Sequence, residues 1–132
     1  MNEPRKRTGC VIVAHGNVAQ SLMDAVEGIL GTQSGWRTVS NSGLGLHQLS
    51  EAVSRAVEDL ARDHEVVVFS DMPGGSCHHA CQQFAEKHRG VHTLSGINLM
   101  MLLEFFVKRD RSDLKELLSL VHERGRDSVR LI

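Results

Sequence analysis

Three short stretches of this chain carry residues that could do chemistry together. His15 follows the apolar run at residues 10–14 directly and precedes Gly16. An imidazole there is held by rigid backbone yet reachable, and an ordinary pKa of about 6.5 leaves it neutral and nucleophilic at physiological pH. Such a nucleophile works best when a carboxylate or carbonyl holds the other ring nitrogen. Asp71, at the end of a second apolar run, is the candidate for that role. Gly74-Gly75-Ser76 opens a predicted helix. Glycines admit close approach, and free N–H groups at a helix N-terminus favour a phosphate. The plainer alternatives are a histidine that only closes its turn and an ordinary turn with Ser76 as helix cap.

Other chemistry is excluded by spacing. No Lys-Ser/Thr pair follows a suitably placed glycine, so Gly74-Gly75 is not a nucleotide P-loop. Ser76 is followed by Cys77-His78 where a nucleophile elbow needs a glycine two residues on. Cys77, His78, His79 and Cys81 crowd one turn, but adjacent His78 and His79 point about 100° apart on a helix and cannot share one ion with the others. Gly43-Leu44-Gly45 lacks the third glycine of a dinucleotide fingerprint. No metal and no cofactor are expected.

The elements that must position these residues alternate regularly. Residues 10–14, 36–40, 65–70 and 90–94 read as strands, the first as a β-branched run buried on both faces and the third as the strongest. Between and after them lie apolar stripes at helical spacing. Val18, Leu22, Val26 and Ile29 mark one, with Asn17 a candidate cap; Leu46, Leu49, Val53, Val57 and Leu60 mark another. Ala80, Phe84 and Ala85 follow Ser76, residues 98–107 form a helix with little polar face, and Leu114, Leu117, Leu118 and Val121 mark a fifth. Val129 and Leu131, alternating with Arg130, suggest a short terminal strand. This order predicts an α/β fold with an open, mainly parallel sheet. Ligand sites in such sheets lie beyond the carboxyl ends of the strands, at a topological switch point. His15, Asp71 and Ser95-Gly96-Ile97-Asn98 all stand at such ends.

Composition narrows the functional class. The chain has 132 residues, with 15 Lys and Arg against 16 Asp and Glu, a formal charge of −1. One domain spanning 1–132 is expected, with no basic excess for nucleic acid and no run long enough for membrane insertion. Three cysteines do not suggest a disulfide framework. The basic N-terminus leads into only four apolar residues, too few for a secretory signal. A cytoplasmic protein with reduced thiols is expected.

Val11-Ile12-Val13-Ala14-His15-Gly16-Asn17-Val18-Ala19 resembles the start of enzyme IIA domains of the mannose/fructose class of the bacterial phosphoenolpyruvate-dependent sugar phosphotransferase system. Phe69-Ser70-Asp71-Met72-Pro73-Gly74-Gly75-Ser76 and Leu94-Ser95-Gly96-Ile97-Asn98-Leu99-Met100-Met101-Leu102 resemble later segments of the same family, in its order and spacing. The resemblance implies a phosphocarrier that takes a phosphoryl group on His15 from HPr and passes it to a IIB component during sugar uptake. It implies that Asp71 orients the imidazole and that Gly75 and Ser76 hold the phosphoryl group. It also implies four parallel strands flanked on both faces by helices, plus a C-terminal antiparallel strand exchanged across a homodimer, which residues 129–132 fit.

The chain departs from the family's pattern around that site. Cys77-His78-His79 replaces the usual Pro-x-Asn, Met100 replaces a proline, and Pro73 stands where a larger apolar residue is common. The altered rim motivates an alternative, a regulatory phosphoprotein of the cascade not coupled directly to a permease. A receiver domain using Asp71 as acceptor is disfavoured, because Ala14-His15-Gly16 stands where such domains need acidic Mg²⁺ ligands.

Overall fold

The computed structural model describes residues 6–88 and 90–132; the N-terminal five residues of the basic stretch lie outside the described residues. The order of elements is β1 (Arg7–Ala14), α1 (Val18–Leu30), β2 (Trp36–Ser40), α2 (Leu46–Ala61), β3 (His64–Ser70), α3 (Ser76–Lys87), β4 (His92–Ser95), α4 (Leu99–Lys108) and α5 (Leu114–Asp127). The four strands pair in parallel in the order β2-β1-β3-β4. The chain steps outward from β1 to β2, then crosses back over β1 to place β3 on its other side. The switch point therefore lies between the carboxyl ends of β1 and β3, where His15 and Asp71 stand.

Alternating side chains split the core in two. Cys10, Ile12 and Ala14 of β1, with Val67 and Phe69 of β3, face α1, α4 and α5. Val11 and Val13, with Val66 and Val68, face α2 and α3. Each inner strand is thus apolar on both faces, as burial between two helical layers demands. Phe105 of α4 is fully buried, with its ring edge-on to Phe69 at 5.6 Å and to Phe106 at 5.1 Å. Phe105→Ala is expected to cost about 3–5 kcal/mol. Urea denaturation checks this, and a loss below about 1 kcal/mol would show that the site collapses around the smaller side chain.

The ends of several elements differ from the sequence reading. β1 begins at Arg7 rather than Cys10, because the Arg7–His64 and Gly9–Val66 registers extend the ladder with β3. Gly9 is required there, since a Cβ would lie 2.6 Å from the Gly35 carbonyl oxygen. Asn17 makes no side-chain cap to α1, and Gly75 rather than Ser76 is the N-cap of α3. Both backbones accept the first helical bonds, from Ser21 N–H and His79 N–H, without help from a side chain. Asn98 and Asp113 do cap, accepting from the N–H groups of Met101 and Glu116. Residues 129–132 form no strand within their own chain, and Val129, Leu131 and Ile132 are exposed. Strand geometry exists through a ladder to a neighbour, and this segment has none here. Among the described residues, no helix is long and apolar enough to cross a membrane.

The amino end of the sheet is closed by Arg109, a buried arginine after α4. Its Nη1 donates to the carbonyls of Ser34 (2.7 Å) and Thr8 (3.3 Å), its Nη2 donates to Gln33 Oε1 (3.4 Å), and its guanidinium lies over Phe106. Burial first, and neighbouring Arg7 second, hold its pKa below the usual value.

Candidate functional site

His15 leaves β1 into a turn that only glycine makes cheaply: Gly16 has φ +56°. The turn is fixed from β2 and the loop after it. Gly16 N–H donates to Asn41 Oδ1 (3.0 Å), and Ser40 Oγ donates to the Gly16 carbonyl (2.9 Å). The imidazole, about 40% exposed, is reachable from solvent. One carboxylate oxygen holds it twice. Asp71 Oδ2 accepts from the His15 backbone N–H at 2.9 Å and lies 2.7 Å from Nδ1. The other oxygen, Oδ1, accepts from the Met72 N–H at 3.0 Å.

Burial alone would push the Asp71 carboxyl upward. The hydrogen bonds from the His15 backbone and ring, and the attraction of a charged imidazole, outweigh it and hold the group below its ordinary value. Asp71 is therefore a carboxylate and can only accept. It follows that Nδ1 carries a proton and that the lone pair of the neutral ring sits on Nε2. Geometry and charge together fix the tautomer.

Gly75 lies against the ring, where a Cβ would stand 3.3 Å from His15 Cε1. It begins α3, whose first N–H groups have no partner within the helix. Ser76, half-buried, is the first helical residue. An anion beside the imidazole thus meets the positive end of a helix. The structure brings His15, Asp71 and Gly75-Ser76 to one place. It does not bring Asn98 there: its Nδ2 donates to the Gly125 carbonyl, tying α4 to α5, and Ser95 Oγ accepts from Ser70 Oγ.

Cys77 belongs to the site and was missed by the sequence reading, which placed it on the rim. It is fully buried, with Sγ 3.8 Å from His15 Nδ1. The signal was present: Cys77, Ala80, Cys81 and Phe84 recur at i, i+3, i+4 and i+7, and all four are buried. Among the described residues, His15, Asp71 and Cys77 are the one grouping of three such ligand atoms, all within 4.8 Å of one another. Cys77, His78, His79 and Cys81 do not converge, in line with their spacing.

Burial pushes the Cys10 thiol up to about 12, the Cys77 thiol to about 11 and the Cys81 thiol to about 12, from 9.0. Asp71 adds to the rise at Cys77 and, after Cys77 itself, at Cys81. Between pH 9 and 11 the unfolded chain therefore loses thiol protons that the folded chain keeps. Stability is intact below that window and falls as pH rises through it. Thermal melts across the window test this. A level midpoint would mean that the buried thiols titrate as free ones do.

Comparison with known proteins finds relatives that match most of the chain. The family described as "PTS system fructose IIA component" matches residues 9–122. The fructose-specific EIIA component of Bacillus subtilis is 27% identical over 122 residues, which are 92% of this chain and 84% of that protein. The mannose-specific EIIAB component of Escherichia coli K12 is 29% identical over 92% of this chain, which spans 38% of that longer protein. A crystal structure of phosphotransferase system component EIIA from Streptococcus agalactiae shares the fold, with a TM-score of 0.85 at 24% identity over 94% of this chain and 96% of that one.

The fold is a parallel α/β sheet with a carboxylate-held histidine at its switch point. The chain belongs to the IIA family of the mannose/fructose class of the sugar phosphotransferase system, whose members are phosphotransferases acting through a phosphohistidine. Its role is that of a phosphocarrier in that system.

Proposed function

We propose that His15 is the phosphoryl acceptor and that it reacts through Nε2. The observation that carries this is the 2.7 Å contact between Nδ1 and Asp71, which leaves Nε2 as the free nucleophilic nitrogen of a half-exposed ring. Phospho-HPr presents its phosphoryl group, the Nε2 lone pair attacks phosphorus in line, and the bond to the donor's nitrogen breaks. Positive charge builds on the imidazole and is met by the Asp71 carboxylate. The phosphoryl oxygens are met by backbone N–H groups around Gly75 and Ser76 and by the N-terminus of α3. Transfer onward to a IIB component reverses the step, with the acceptor's nucleophile attacking the same phosphorus. The protein's contribution is positioning and charge stabilisation, as phosphoryl transfer requires. Neither metal nor cofactor enters.

The test is phosphotransfer from phosphoenolpyruvate through enzyme I and HPr, followed by phosphorus NMR of the product. A signal of Nε2-phosphohistidine is expected, discharged on adding a IIB component. Phosphate on Nδ1 would overturn the assignment of roles to the two nitrogens. The regulatory alternative has one observation in its favour: His79 and Pro73, beside the site, are exposed and differ from the family's usual rim. Retention of the label with every IIB component, and its discharge by none, would favour that reading.

We further propose that the chain is a single cytoplasmic domain over 1–132 and works as a homodimer. β4 is an edge strand, and beside it lies a groove of about 720 Å³ lined by Thr93, Ser95, Leu118, His122 and Arg126. The segment 129–132, with Val129, Leu131 and Ile132 exposed, fits an antiparallel strand added to that edge on a second copy. The 132-residue chain is expected to run as a dimer and a chain lacking 129–132 as a monomer. A truncated chain that still dimerises would exclude strand exchange as the interface.

A further inference from the structure

We propose that His15, Asp71 and Cys77 form a binding site for a borderline-soft divalent cation of the Zn²⁺ class, and that the bound ion switches phosphoryl transfer off. The site needs Cys77, which the transfer scheme above does not use. Nitrogen, carboxylate oxygen and thiolate sulfur are the donors Zn²⁺ takes. The three donors sit on the ends of β1 and β3 and the first turn of α3, so rigid elements present each one.

The spacing fits a tetrahedral ion. With Zn–N and Zn–O bonds of about 2.1 Å and a Zn–S bond of about 2.3 Å, such ligands lie about 3.4–3.6 Å apart. His15 Nδ1 and Cys77 Sγ are 3.8 Å apart, and all three donor atoms fall within 4.8 Å. The His15–Asp71 contact of 2.7 Å must open by about 0.7 Å to admit the ion. The half-exposed imidazole leaves a side from which water completes the coordination. Charge also balances. The ion displaces the proton that burial holds on the Cys77 thiol, and thiolate plus carboxylate cancel its two charges.

The consequence for catalysis follows from proton bookkeeping. On binding, the Cys77 thiol releases its proton to solvent. The ion takes the Nδ1 lone pair, so the ring proton moves from Nδ1 to Nε2 by exchange with water. Nε2 then has no free lone pair to attack phosphorus. This second half rests on the reading of His15 Nε2 as the acceptor; the ion site itself does not.

Two readouts separate these claims. In the metal-reduced protein, Co²⁺ is titrated and the near-ultraviolet thiolate-to-cobalt charge-transfer band recorded. Wild type is expected to give the band at one ion per chain, reversed by Zn²⁺. Cys77→Ser is expected to abolish it, Cys81→Ser to keep it, and His15→Ala to weaken cobalt binding at least about tenfold, the scale on which even outer-shell partners act. Circular dichroism checks that each variant is folded. No band in wild type, or a band kept in folded Cys77→Ser, overturns the site. Phosphoryl transfer is read separately, in a single turnover from pre-phosphorylated HPr, with and without one equivalent of Zn²⁺ and then with chelator. Loss of transfer restored by chelator supports the switch. A cobalt band with undiminished transfer in Zn²⁺ overturns it. If wild type takes no phosphoryl group even without metal, the acceptor assignment fails while the cobalt result stands.

Discussion

His15→Ala is expected to take up no acid-labile phosphoryl label from phospho-HPr under conditions where wild type is labelled stoichiometrically. The effect is the largest available, because no other group in the site offers a neutral nitrogen in place. Cys77 is buried, with its thiol held as the neutral form, and Asp71 has both oxygens engaged by His15 and Met72. The variant should fold: the side chain is half-exposed, and the Val18 N–H to His15 carbonyl bond does not depend on it. Stability should stay within about 0.5 kcal/mol of wild type, apart from any loss of the Asp71 contact. Labelling of a folded His15→Ala chain would move the acceptor elsewhere.

The second large effect is at Asp71. Asp71→Asn keeps the size of the side chain but allows its amide to donate to Nδ1. That reverses the tautomer and puts the proton on Nε2, where it blocks attack. A fall of about 10²–10⁴-fold in the rate of transfer is expected, the range for positioned proton-holding groups and for loss of a tautomer-fixing carboxylate. Stopped-flow transfer from phospho-HPr measures it, and an unchanged rate would remove Asp71 from the mechanism. The pH dependence has a definite sign. A carboxyl held below its ordinary 3.8 contributes stability that is fully present above that value and is lost as pH falls through the lowered one. Asp71 therefore leaves no titration step near neutrality, and slowing of transfer in that range arises from other groups.

Most of the architecture could be read from residue order. The apolar runs Cys10–Ala14 of β1 and Val66–Phe69 of β3 marked the two inner strands. Their ends locate His15 and Asp71. The ends of elements were less legible because ladders and caps are settled by neighbours. Arg7 is strand because His64 lies opposite it, and Asn17 and Ser76 do not cap because the backbone turns there without them. The contact of Cys77 with the imidazole depends on how α3 leans on β3, which periodicity alone does not give. Residues 129–132 show the remaining gap: their pattern is that of a strand, but a strand needs a second edge.

Arg109 has a bearing on how this molecule can be altered. It laces Thr8, Gln33 and Ser34 together with α4 at the end of the sheet farthest from His15. The molecule thus has an anchored floor and an adjustable roof. Loops above the strands can be exchanged, and with them the proteins that recognise the phosphorylated state, while the floor keeps the strands in register. Re-engineering partner choice should therefore start with residues 43–45, 72–74 and 78–79, leaving the arginine and Asn41 untouched.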